Sequence, residues 1–293
     1  MKRYEFGLHI AETTGISREH MALIRPVMEL ITQNAEDKLT DLEAAQLKSA
    51  DSLEQVKSLV QSVDVEVEIG TLAVTLLLTL QSSRIFADRG IPEQVFLDTM
   101  KNIRIANEEY AKEHEGKPGM TRYGFVRRNL WGDVLRHGRL EYEIEPFGHD
   151  EYEAHGFTVK PDDPVVKIHI PSDGPMLPDD VEKSFCQAYR YYRMGDITPF
   201  ICGSWLNYPG NRKFCKPDAN IIRFMECFHL LHWEDRPRSN DLRRIFGKDA
   251  DYENLAALPE ETSLQKRLKA HLLNGGTMGW GYGIFLHDGS KRL

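Results

Sequence analysis

The sequence predicts an α+β protein: an all-helical N-terminal domain over residues 1–137, then a mixed β-sheet flanked by helices over residues 138–293. Three observations carry this. Apolar residues recur every three or four positions through the first 137 residues, the period of a helix with one buried face. From Gly138 onward the period shortens to two, as in a strand. Two strand-like runs, at 165–170 and 200–206, then enclose a helical one, the order of a parallel crossover.

The helical half is divided by its own punctuation. Ser17 is an N-cap for apolar positions at Met21, Ile24, Val27, Met28 and Ile31, and Pro26 inside that pattern predicts a kink or a break. Ser52 opens a second amphipathic stretch through Leu53, Val56, Leu59 and Val60. An apolar run from Ile69 extends to about Arg89, where Gly90 is the expected C-cap residue. Pro92 falls in the first turn of a helix that buries Phe96, Met100, Ile103 and Ile105. Gly116-Lys117-Pro118-Gly119 interrupts the chain before a last predicted helix, Thr121 to His137.

In the second half, Arg139 to Phe147 alternates Leu140, Tyr142 and Ile144 with Arg139, Glu141, Glu143 and Glu145, which predicts a half-exposed strand. Strands follow at Phe157–Val159 and Val165–Ile170, a helix from Asp179 to Met194, and a strand at Phe200–Leu206. Asn207 to Pro217 has room for little more than a turn of helix. Asn220–Trp233 reads as one long strand, on which His229 and His232 point to opposite faces and share no metal. Ser239 caps a helix to Phe246, Ser263–Leu273 is another, and Gly275-Gly276 turns the chain into a final strand at Gly281–Leu286. The glycine-rich stretch Gly275–Gly283 lacks the preceding strand and following Lys-Ser/Thr of a nucleotide loop, so its expected role is to let Trp280 and Tyr282 pack.

Composition narrows the function classes. Hydrophobic residues at 41% exclude a disordered chain. With 45 acidic against 37 basic residues the net charge is −8, which argues against a nucleic-acid partner. The clusters Arg122/Arg127/Arg128 and Arg236/Arg238/Arg243/Arg244 are interleaved with acids and read as solvated faces or anion contacts. Cys186, Cys202, Cys215 and Cys227 form no C-x-x-C pair and are expected to be reduced, with Cys202 a small buried apolar group. The apolar run Ile69–Leu80 is shorter than the roughly 20 residues of a membrane span, so no membrane partner is expected. The opening residues lack a signal-peptide pattern, and a cytoplasmic location is expected. Nothing in the sequence specifies an oligomeric state.

The segment with chemical content is the strand Val165–Ile170, its loop to Leu177, and the helix from Pro178. A loop that feeds a helix N-terminus offers backbone N–H groups to an anion such as a pyrophosphate. Asp173, Asp179 and Asp180 oppose that with negative charge, and Gly174 is the loop's one glycine. His169 alternates with Ile168 and Ile170 and so faces away from both, as a site residue or as a core histidine satisfied by a neighbour.

Several ordered segments carry a resemblance. They are Asp88-Arg89-Gly90-Ile91-Pro92-Glu93, Gly138-Arg139-Leu140-Glu141-Tyr142-Glu143, His169-Ile170-Pro171 with Gly174-Pro175, Ser204-Trp205-Leu206, Asn220-Ile221-Ile222-Arg223-Phe224, and Thr262-Ser263-Leu264-Gln265 with Gly275-Gly276. Together the chain resembles the two-domain bacterial acyltransferase family that joins an N-acyltransferase N-terminal domain to a GNAT-like C-terminal domain, with the glycopeptide N-acyltransferases among its members. The resemblance implies a GNAT-like sheet in which two parallel strands splay apart to admit the pantetheine arm of acyl-CoA or acetyl-CoA, with no metal. Carried onto this chain, Ile168, Ile170, Ser172, Gly174, Met176 and Leu177 would hold that co-substrate. Because this chain has Gly203 where such proteins tend to carry a histidine, the candidates to replace that base are His169, Glu141 or Glu143, or Ser204 acting through water. Arg139 and Trp205 would flank the acceptor, expected to be a small-molecule amine. The chain departs from the family at Gly203, where a histidine tends to precede the Ser-Trp pair. That departure holds open a second reading, a catalytically silent protein that binds acyl-CoA or another small ligand as a sensor.

Overall fold

The computed structural model describes residues 2–44 and 52–293, which form two compact units. The first comprises the described residues up to His137 with Pro171–Asp173; the second comprises Gly138–Ile170 and Gly174–Leu293.

The first unit contains α1 (Arg3–Thr14), α2 (Arg18–Asn34), α3 (Glu36–Ala44), α4 (Ser52–Gln61), α5 (Val67–Asp88), α6 (Glu93–Glu113), α7 (Tyr123–Leu130) and a short strand, β1 (Leu135–His137). Ser17 caps α2 by accepting from the His20 N–H at 3.1 Å. The helix runs without a break through Pro26. Pro26 sits on the exposed side, where the carbonyl deprived of its N–H partner faces water instead of a dry interior.

At 22 residues, α5 matches the run expected from Ile69 to about Arg89, and by length and composition it could cross a membrane. Twelve of its residues are buried among the other helices, so it is the core helix of this unit. The last predicted helix is corrected. It stops at Leu130, and Leu135–His137 is extended. Gly132 lies at φ +69°, and the Gly132 and Asp133 N–H groups turn back to the Asn129 and Arg128 carbonyls at 3.0 and 2.9 Å, which closes the helix in a Schellman arrangement.

The second unit contains β2 (Leu140–Pro146), β3 (Tyr152–Ala154), β4 (Phe157–Val159), β5 (Pro164–His169), α8 (Pro178–Tyr192), β6 (Thr198–Ser204), α9 (Asn220–Met225), β7 (His229–Arg236), α10 (Asp241–Phe246), α11 (Ser263–Leu273) and β8 (Met278–His287). Strands follow the order β2-β5-β6-β8-β7, with β3 and β4 forming a separate hairpin. β5 and β6 are parallel across the α8 crossover, and the other pairs are antiparallel. One face of the sheet packs Val165, Ile201, Tyr282, Ile284 and Leu286 with Phe147 and Val159. A second cluster joins α10 and α11 to the start of β8 through Leu242, Phe246, Leu268, Leu272 and Met278.

Two further expectations are corrected. Asn220–Trp233 is not one strand; α9 occupies its first half, burying Ile222, Phe224 and Met225. Those side chains satisfy a helical turn as well as an alternating pattern, and a short apolar run cannot tell the two apart. On β7, a bulge between Leu230 and His232 shifts the register, so His229 pairs with Ile284 and His232 with Tyr282. Both histidines therefore share one face.

Candidate functional site

The site is built where the parallel pair comes apart. β5 and β6 are in register only at Val166↔Phe200 and Lys167↔Ile201. Beyond that point β6 continues against β8 through Cys202↔Gly283, Gly203↔Tyr282 and Ser204↔Gly281, while β5 stays with β2 through Ile168↔Tyr142 and His169↔Glu141. No register pair joins Ile168–His169 to Cys202–Ser204, so the two strands part there.

The β2–β5 side of this parting carries the ionisable groups. Register places Glu141, Glu143 and Glu145 on one face with Val165, Lys167 and His169. The sequence pattern assigns a half-exposed strand with Ile144 among its apolar members; instead Glu141 is 1% exposed and Glu143 7%, while Ile144 is 55% exposed. A buried carboxylate requires partners. His169 Nε2 lies 2.6 Å from Glu143 Oε1, and Lys167 Nζ donates to Glu145 Oε2 at 2.6 Å. The opposite face is held by α8: Ser184 Oγ accepts from the Leu140 N–H at 3.1 Å and meets the Tyr142 hydroxyl at 2.7 Å. The Tyr192 hydroxyl donates to the Tyr142 carbonyl at 2.9 Å.

On the β6 side, Ser204 ends the strand and caps a 3₁₀ turn, Trp205–Asn207, by accepting from the Leu206 N–H at 3.1 Å. Trp205 and Leu206 thus leave the strand one turn earlier than the sequence suggests. Asn207 is fully buried; its Nδ2 donates to the Cys202 carbonyl at 2.9 Å, and its Oδ1 has no partner. Burial pushes the Cys202 thiol up to about 12, only weakly opposed by Lys167 and Asn207, so it is a neutral packing group.

The loop between β5 and α8 is divided between the two units. In the first unit, Ser172 Oγ donates to Glu109 Oε1 at 2.7 Å. Asp173 receives Arg136 Nη1 at 2.9 Å and Arg104 Nη2 at 3.2 Å, which answers the negative charge the sequence placed in this loop. In the second unit, Gly174 is exposed, Met176 half-buried, and Leu177 stands exposed as the N-cap of α8. Arg139 donates to the Gly174 carbonyl at 2.6 Å and the Pro175 carbonyl at 3.0 Å, so it shapes this loop. Ile168 is buried and Ile170 half-buried.

Of the residues singled out from sequence, the fold brings Glu141 and His169 together as register partners and sets Ser204 on the facing strand. Ser172 lies in the other unit. Lys167 and Asn207 escaped the sequence reading, and Trp280 was expected only to pack. Lys167 had a signal, two positions from His169 on the same strand face; Asn207 and Trp280 had none, because their places depend on the return of distant chain.

Comparison with known proteins follows from this geometry. The family model of the GNAT-like C-terminal domain matches residues 134–285. No curated protein matches the chain. Similar solved structures include an acyltransferase in complex with decanoyl-CoA and teicoplanin, at 19% identity and a TM-score of 0.63, covering 97% of this chain and 99% of that one. Another is an acyltransferase in complex with CoA and 10C-teicoplanin, at 18% identity and 0.63 over the same shares. A third, with decanoyl-CoA, has 19% identity and 0.62, again with 97% and 99% covered. At this identity the likeness is one of fold.

The expectation of a small-molecule amine acceptor is corrected by these complexes, because teicoplanin is a large glycopeptide. The sequence motifs report on strands of the sheet, and no short motif describes the size of an acceptor. The splayed strand pair and the match across the sheet agree: this chain belongs to the GNAT-like C-terminal domain family.

Proposed function

We propose that the protein transfers an acyl group from acyl-CoA to an amine carried on a large acceptor, as an N-acyltransferase. The observation that carries this reading is the parting of β5 from β6 after two register pairs, which leaves strand edges to receive a narrow pantetheine arm. Ile168, Ile170 and Met176 supply apolar lining, and Gly174 with Leu177 leads the diphosphate end toward the first turn of α8.

In the reaction, the acceptor nitrogen attacks the thioester carbonyl carbon; a C–N bond forms and the C–S bond breaks. His169 takes the proton released by the amine, and the leaving thiolate is protonated to free CoA. Glu143 positions His169: a carboxylate accepting Nε2–H leaves the lone pair on Nδ1. Glu141 is the register partner of His169 on the same face of the sheet. Ser204 caps the turn that closes the opposite rim, with Trp205 beside it.

Incubating the protein with decanoyl-CoA and teicoplanin, and following free thiol and acceptor mass, tests this. Acceptor-dependent CoA release with a matching acyl mass increment is expected. Decanoyl-CoA that neither raises the melting temperature nor releases thiol would sink the reading. Binding without release would favour the sensor.

A further inference from the structure

The two rims of the cleft are not equivalent. Lys167 and Ile201 are the last register pair, so two residues further along lie His169 on β5 and Gly203 on β6, facing one another on the same side of the sheet. A side chain at position 203 has no room. An added Cβ would fall 2.3 Å from Trp280 Cζ2, 2.9 Å from its Cη2 and 3.2 Å from Tyr282 Cδ2. The indole of Trp280, reaching across from β8, occupies the space a residue at 203 would use.

That indole is held in place. Its ring packs at 6.0 Å from Tyr282, the Arg236 guanidinium stands 4.9 Å from its centroid, and Arg236 Nε is anchored on Glu234 Oε1 at 2.6 Å. It is also half-buried, so part of it stays open to solvent. An indole rim offers no basic nitrogen for proton transfer; with the Arg236 guanidinium over one face of the ring, the part still open to solvent offers an aromatic surface that favours another ring over water.

We infer that Trp280 is the residue that selects the acceptor. The amine arrives along the His169 rim, and acceptors that carry it next to a ring are preferred because that ring stacks on Trp280. This rests on the acyl-transfer reading and adds the recognition element on its acceptor side.

The test uses the full chain as wild type, Trp280→Ala, Trp280→Leu and Trp280→Phe, with decanoyl-CoA as donor. Two acceptors share one large scaffold, dextran bearing benzylamine groups and dextran bearing propylamine groups. Wild type and Trp280→Phe are expected to show a KM about two- to ten-fold lower for the benzylamine form, the range one stacked ring supplies. Trp280→Ala and Trp280→Leu lose that preference while the KM for decanoyl-CoA stays within about two-fold. Leu keeps the volume without the ring, so it separates stacking from a packing defect. Equal KM values for both dextrans in wild type, or an undiminished preference in Trp280→Leu, overturn the inference. Calorimetric binding of decanoyl-CoA keeps the two failures apart: intact binding without ring preference sinks only the role of Trp280, whereas no binding sinks acyl transfer itself.

Discussion

Gly281→Ala is a demanding test of how the mouth of the cleft is held. Gly279, Gly281 and Gly283 alternate along β8 and so present one bare stripe on one face of the sheet. An added Cβ at position 281 would lie 2.2 Å from the Asn207 carbonyl oxygen, 2.6 Å from its carbon and 3.1 Å from the Tyr208 nitrogen. These are backbone atoms, and they cannot turn aside as a side chain would. Their segment is tied down by Asn207 Nδ2 on the Cys202 carbonyl at 2.9 Å and by the Tyr208 N–H on the Trp205 carbonyl at 3.1 Å. The strand and the 3₁₀ turn must therefore separate by about 1 Å, at the upper end of overpacking costs, about 3 kcal/mol. For a unit of this size that lowers the melting temperature by about 6–12 °C. Circular dichroism melts and urea midpoints measure it, with Gly174→Ala as the control. Gly174 is exposed, and its Cβ would find only Arg139 Nε, at 3.9 Å, so it should stay within about 0.5 kcal/mol of wild type. A Gly281→Ala protein that melts with wild type would refute the claim that this stripe exists to admit the turn.

Three other outcomes are expected. Glu143→Gln should lower kcat about 10²-fold with little change in decanoyl-CoA affinity, because the amide no longer holds the imidazole as a base; unaltered kcat removes Glu143 from the reaction. His137 is 6% exposed, and burial depresses it from 6.5 to about 4 against the weaker opposing pull of Asp98. Between those values the unfolded chain binds the extra proton, so stability rises with pH from about 4 to 6.5. The contribution, about 3 kcal/mol, is complete above that window and lost below it. Burial depresses His149 and His287 in the same direction, and urea denaturation that is flat from pH 7 to pH 4.5 would contradict all three. Cys202, buried and raised to about 12, should resist iodoacetamide in the native protein and react once it is unfolded; alkylation of the folded chain at the rate of a free thiol would mean that the cleft opens to its floor.

Periodicity and punctuation alone determined the helical first half, the change of texture at Gly138, the βαβ crossover and the capping of α2. These are local matters: a cap or a strand period is satisfied by residues a few positions apart, and the chain carries them wherever it folds. The ordered motifs pointed to the strand pair Val165–Ile170 and Phe200–Leu206 for the same reason. Only the tertiary structure decided that Glu141 and Glu143 are buried while Ile144 is exposed, because an alternating pattern names two faces without saying what will cover each one. Only it decided that Asn220–Met225 coils and that a bulge turns His229 and His232 to one side. The clearest case is Gly203. From sequence it reads as an absent imidazole; in the fold it is the space that Trp280, 77 residues further along the chain, needs for its ring. A glycine's purpose lies in the atoms that approach it, and those atoms come from elsewhere in the chain.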